Sequence, residues 1–146
     1  MAQDYLNRLR DAKTRKAPQD IIQAIPYLGF LGVTVQEEAD GILLCHLPFQ
    51  DKLIGNPTLP AIHGGVIGSL LESVALLQLM WSLDSPTLPR TINTSIDFLR
   101  SGRAKDTSAR GRITKQGRRV ANVRVEAWQE DSKKPIAAAQ GHFLLG

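Results

Sequence analysis

Cysteine is nearly absent from this chain: Cys45 stands alone. That excludes an internal disulfide framework and points to a reducing compartment, the cytoplasm. The N-terminal stretch MAQDYLNRLRDAKTRK has no apolar core, so no export is expected. The three histidines, His46, His63 and His142, share no metal-ligand spacing with one another or with Cys45. No metal and no other cofactor is therefore expected. No glycine-rich loop carries the Lys-Ser/Thr of a phosphate-binding loop. Ser69 lies in Ile-Gly-Ser-Leu-Leu, which is no nucleophile elbow. No strand is rich in aromatics, and the N-terminal arm is too short for a DNA-reading helix-turn-helix, so nucleic acid is not an expected partner. Charge is also scarce in one place. From Gly64 to Leu83 the sequence reads GGVIGSLLESVALLQLMWSL, with Glu72 as its one charged residue.

That run is the most informative segment present. A helix apolar on nearly every side is usually buried. A buried carboxylate is costly unless paired, so Glu72 is more readily explained by chemistry than by packing. The run is long enough to span a bilayer. Glu72, Gln78, three serines and the opening Gly-Gly set it apart from a membrane span, as does the strand-rich sequence that follows and needs an apolar partner. No membrane association is expected.

The 146 residues suffice for one domain with a real core, spanning residues 1–146. The net charge of +4 is unevenly placed: residues 100–134 hold eleven Lys/Arg against four Asp/Glu. Such a patch attracts phosphorylated molecules or is simply the solvated face of amphipathic strands.

Along the chain, residues 1–25 read as a helical arm, with Asp4 capping a first helix and Pro18-Gln19-Asp20 opening a second. Leu31–Asp40 and Ile42–Leu47 read as strands joined by an Asp40-Gly41 turn. Gln50–Ile62, with Pro57, Pro60, Gly55 and Asn56, reads as a loop. The apolar helix follows over 64–82. Four strands are then expected, Thr91–Arg100, Lys105–Lys115, Arg119–Trp128 and Ile136–Leu145, with a Gln116-Gly117 turn. Ile92, Thr94, Ile96 and Phe98 share one face of the first. Ala109, Gly111 and Ile113 oppose Arg110, Arg112 and Thr114 in the second. Clean alternation implies an antiparallel sheet with one wet face. The expected class is α+β, one long helix against the inner face of a curled antiparallel sheet.

His63-Gly64-Gly65 opens the helix. Adjacent glycines admit a substrate to bare backbone, and the first N–H groups of a helix have no internal partner. Aimed at a carbonyl oxygen they form an oxyanion hole; equally, the glycines permit a tight turn. His63 and Glu72 are nine residues apart, which is roughly 180° around a helix and about 13 Å along it. One copy cannot aim both at one carbonyl. If they serve one reaction, two copies must face each other across a twofold axis, so a dimer is expected.

HGGVIGSLLES, preceded by LIGNPTLPAI and followed by TSIDFLRSG, resembles the hotdog-fold thioesterases of the phenylacetate-pathway type, over about Tyr27 to Leu145. The resemblance implies a long central helix wrapped by a five- or six-stranded antiparallel sheet, in homodimers that often pair again into tetramers. It implies hydrolysis of acyl-CoA thioesters without a metal or redox cofactor. By it, Glu72 matches the catalytic carboxylate, as general base or nucleophile. Gly64 matches the backbone donor to the thioester carbonyl, across the dimer from Glu72, and His63 the motif histidine. Asn56 matches a loop residue that holds water or substrate, although the expected position is occupied by Pro57. A Ser or Thr that some members carry four residues after the acid is here Leu76; Ser73 is a candidate substitute. Gly65 is a second backbone contact. Arg100, Arg103, Arg118 and Arg119 are candidates for the coenzyme A phosphates. The alternatives are a hotdog dehydratase or hydratase, for which Asp40 and His46 are the nearest acid–histidine pair, and a non-catalytic acyl-CoA binder, which has no use for a buried acid.

Overall fold

Asp40 and Gly41 both adopt positive φ, 64° and 74°. This left-handed pair is what a tight hairpin demands and what Asp-Gly supplies at little cost. It joins β1 (Thr34–Glu37) to β2 (Leu43–Leu47), which pair antiparallel with Val35 opposite Cys45. The computed structural model describes residues 2–146. After β2 the chain runs through a short hairpin, β3 (Ile54–Asn56) and β4 (Ala61–Ile62), into the long helix α3 (Gly64–Ser82). Strands β5 (Arg90–Phe98), β6 (Thr107–Gln116), β7 (Val120–Trp128) and β8 (Ala137–Leu144) complete the fold. The six-stranded sheet has the order β1-β2-β6-β7-β8-β5, and every pairing in it is antiparallel.

The sheet wraps α3 because the two surfaces are complementary in size. Many buried positions of β6, β7 and β8 are small, Ala109, Gly111, Ala121, Ala127, Ala137, Ala139 and Gly141, beside the larger Val123, Val125 and Phe143. Large helix residues, among them Leu70, Leu71, Leu77 and Leu79, fill the space the small ones leave. Three polar side chains, Ser73, Gln78 and Thr107, are buried with them, and Gln78 has the most bonds to other elements. Gln78 accepts from Leu43 N at 2.8 Å and donates to Gly41 O at 3.0 Å and Ser82 Oγ at 2.7 Å. Its amide thus replaces the water those groups would lose and ties α3 to the β1–β2 hairpin.

The N-terminal arm differs from expectation in detail. α1 spans Ala2–Thr14. Asp4 therefore lies in its first turn, where it pairs with Arg8, rather than capping it. Pro18–Ala24 forms a 3₁₀ segment, and a second helix, α2 (Pro26–Leu31), takes residues 26–30, assigned to no element from the sequence, and Leu31, expected to begin a strand. Gly32, at φ 77°, ends α2, so β1 has four residues where ten were expected. Lys13 reaches over the end of α3 and donates to Leu83 O at 2.7 Å. Burial lowers the Lys13 ammonium below its usual range, and Asp84 opposes that shift. Gln19 accepts from Val35 N at 2.7 Å, so the arm also engages the outer edge of β1.

Two further expectations need correction. Residues 50–62 contain the β3–β4 hairpin rather than a plain loop. In β5, a bulge at Ile92 interrupts the register with β8, and Ile92 and Phe98 are exposed at 53% and 58% rather than buried.

Replacing Gln78 by Leu keeps the volume but strands the Leu43 N–H and the Gly41 carbonyl. A loss of about 3 kcal/mol is expected, read as a lower urea midpoint at unchanged m-value.

Candidate active site

His63 precedes α3 as its N-cap. Its Nδ1 accepts from Gly65 N at 2.8 Å, and its carbonyl accepts from Val66 N and Ile67 N at 3.0 and 3.3 Å. The Ile67 bond is the first regular helical one; with His63 N donating to Leu53 O at 2.8 Å, three of the four orphan donors at this helix start, those of His63, Gly65 and Val66, are satisfied. The Gly64 N–H has no hydrogen-bond partner among the described residues. The sequence put both glycines forward as contacts for a substrate. The structure commits Gly65 to the imidazole and leaves Gly64. Since Nδ1 is an acceptor, neutral His63 carries its proton on Nε2 and offers a donor there. Gly55 makes the cap possible: a Cβ at that position would stand 2.6 Å from the His63 Cα.

Glu72 is half-buried rather than enclosed. It lies on a stripe of α3 left partly open by the fold, together with Gly65, Gly68, Ser69 and Leu76. Their spacing of three and four residues places them along one face. The Glu72 carboxylate makes no hydrogen bond or ion pair with any described residue. The unbroken helix keeps it about 13 Å along the axis from His63. The side chain that was to serve with Gly64 therefore stands too far away in the same copy, as the spacing predicted.

The remaining candidates separate. Asn56 uses its Oδ1 to accept from Thr58 N and Leu59 N at 3.0 and 3.4 Å, which leaves its amide NH₂ to donate. Ser73 is buried, about 100° around the helix from Glu72, and is not on the open stripe. Leu76 is on it. Arg100 and Arg103 face a cleft of 490 Å³ that also holds Lys105, Lys134, Glu130 and Asp131. Arg100 donates to Pro135 O at 2.6 Å, and Gln129 clasps the Arg103 backbone. This cleft lies at the α3 N-terminus, since Ile62 N bonds Gly102 O at 2.7 Å. Arg118 and Arg119 occupy the β6–β7 turn at the other end of the sheet, where Arg118 lies near Leu83 and Asp84. The length of β6, about 30 Å, separates the two basic groups. They cannot hold one nucleotide within a single copy, as grouping them implied.

Two other groups are accounted for. Cys45 is fully buried in β2, and burial pushes its thiol up to about 12. The thiolate needed for nucleophilic attack is absent at neutral pH. His46 pairs with Asp106, Nε2 to Oδ2 at 3.3 Å, while Asp40 sits in the β1–β2 turn. The acid–histidine pair of the hydratase alternative is therefore not assembled. What the sequence did not single out is Phe98, whose ring lies against Gly64.

A family model described as "Thioesterase superfamily" matches residues 59–136. The chain belongs to the thioesterase superfamily. A crystal structure from Chromobacterium violaceum is 42% identical, with a TM-score of 0.80 over 96% of this chain and 97% of that one. A putative thioesterase from Ralstonia eutropha, titled a phenylacetic acid degradation-related protein, is 26% identical with a TM-score of 0.74, covering 82% and 89%. The medium/long-chain acyl-CoA thioesterase YigI of Salmonella typhimurium is 28% identical over 139 residues, 84% of this chain and 86% of that one. A putative esterase of Halobacterium salinarum is 30% identical over 79 residues, so the chain spans about half the length of that relative. This thioesterase thus has the hotdog fold its motif implied, and among the described residues the one helix long and apolar enough to cross a membrane is its central core helix.

Native protein at pH 8 should react negligibly with an aromatic disulfide reagent, and the urea-unfolded chain should release one thiol equivalent. Rapid native reaction would place Cys45 outside the core.

Proposed function

We propose that this thioesterase hydrolyses acyl-CoA esters to free acid and coenzyme A at two equivalent sites of a homodimer. The observation that carries the reading is the separation of an unpartnered N–H at Gly64 from an unpartnered carboxylate at Glu72 along one straight helix. Each half of the chemistry is present in a copy, and neither reaches the other within it. Two antiparallel copies bring Gly64 of one opposite Glu72 of its partner.

The surface supports such pairing. β5 lies at one end of the six-stranded sheet, with one side unpaired. Ile92 is exposed along it. Antiparallel pairing of two β5 strands extends the sheet and covers this edge. The outer sheet face is less suited to self-association, because Arg112 stands directly opposite Arg124 there.

In the assembled site the Gly64 N–H, at the positive end of α3, polarises the thioester carbonyl. His63 Nε2–H and the Asn56 NH₂ are further donors near the same loop. Glu72 acts as general base on water or attacks the carbonyl itself. In the first route water adds to the carbonyl carbon, Glu72 takes its proton, and the C–S bond breaks to release the thiolate of coenzyme A. The second route forms a mixed anhydride that water then opens. Both end in the same products. Arg100 and Arg103, at the α3 N-terminal end, meet the phosphates. Leu76, the next residue on the stripe, continues it as apolar surface. Together with the name of the YigI relatives, this favours medium- to long-chain aliphatic esters. A buried free thiol fits a cytoplasmic enzyme.

Glu72→Gln should lower hydrolysis of acyl-CoA to background while circular dichroism and sedimentation stay unchanged; near-normal turnover would show the acid to be structural. Arg100→Ala and Arg103→Ala should raise KM for coenzyme A esters about tenfold, with little change for pantetheine esters. Equal effects on both ester types would remove these arginines from the nucleotide site.

A further inference from the structure

We propose that Phe98 is a positioning residue of the thioester site, forming the apolar wall beside the free amide of Gly64. The inference rests on the hydrolase reading above and adds a residue to it.

Phe98 ends β5 opposite Ala137, which is buried, so its side chain leaves the sheet on the face that carries α3. A Cβ placed on Gly64 would stand 3.4 and 3.5 Å from two of the ring carbons. Two residues earlier, Ile96 meets Gly68 in the same way, with its Cδ1 3.0 Å from such a Cβ. Two strand residues advance about 6.8 Å and four helical residues about 6 Å. The pairs Phe98–Gly64 and Ile96–Gly68 are therefore successive rungs of one strand-on-helix packing. This packing places the ring at the first residue of α3, where an amide stands free.

The burial pattern indicates that the ring serves more than the core. A packing phenylalanine would be covered; Phe98 is 58% exposed although one part of it touches Gly64. Its exposed part borders the space from which a carbonyl must approach the amide. An apolar wall there removes competing water, and a hydrogen bond to developing negative charge strengthens when water is excluded. The neighbours extend the argument. Leu99 is 51% exposed, and Arg100 follows in the basic cleft. The sequence Phe98-Leu99-Arg100 thus passes from the amide through apolar surface to positive charge. A thioester with an uncharged arm and a phosphorylated end has that order of properties.

The test compares Phe98→Ala, Phe98→Leu and wild type on one acyl-CoA ester, with sedimentation of each. Alanine is expected to lower kcat about tenfold or more with a smaller change in KM, because the wall acts on the transition state. Leucine should restore most of the rate, since it rebuilds an apolar wall without an aromatic ring. Both variants should sediment as wild type. A wild-type rate in Phe98→Ala would overturn the inference, as would loss of the dimer in parallel with activity, which would make Phe98 an assembly residue. The two readings fail separately. Inactive wild type, or an active Glu72→Gln variant, removes the hydrolase reading; an active wild type with a dead Glu72→Gln variant and normal Phe98→Ala removes only the role of Phe98.

Discussion

Burial of α3 is the constraint on which the other features depend. Nineteen residues carrying a single charge require cover, and six antiparallel strands supply it. The cover works because small residues on β6, β7 and β8 receive the large ones of the helix. It is incomplete along one stripe, and Glu72 lies there. The same helix brings its own electrostatics: its first turn ends in a donor that no side chain claims. The core and the candidate site thus share one element, and the spacing of Gly64 from Glu72 follows from the regularity of the helix.

The cap at the start of α3 shows how a short motif divides its labour. His63 satisfies Gly65 through Nδ1, and its carbonyl holds the next two amides. Only after these bonds are counted does Gly64 stand apart. The two glycines differ: Gly65 lies so close under the imidazole that an added methyl group would stand 2.9 Å from it, whereas at Gly64 a methyl group would reach only ordinary contact with the Phe98 ring. Gly55 has the relation of Gly65, but to the His63 backbone. The candidate site thus sets bare backbone beside two rings, those of His63 and Phe98.

Much of this was legible in the sequence. The bounds of α3, the Asp40-Gly41 and Gln116-Gly117 turns, and the burial of Ala109 and Gly111 follow from periodicity and turn chemistry. What escaped was set by tertiary contact. Ile92 and Phe98 alternate like core residues, but an edge strand has no neighbour to cover them. Glu72 reads as enclosed in a one-dimensional count of apolar neighbours, whereas the open stripe appears only once the sheet is seen to stop short of it. α2 was missed because its six residues are too few to show a helical period. The four arginines looked like one group because sequence spacing does not reveal that β6 runs between them.

The bond from Val35 to Gln19 has a consequence for how many copies can join. A sheet with two bare sides can recruit neighbours without limit and grow into a fibre. Here the N-terminal arm occupies one side and β5 leaves the other free, so each molecule has a single docking margin. Strand addition at a lone margin closes once two molecules have paired, and so carries none of the hazard of polymerisation.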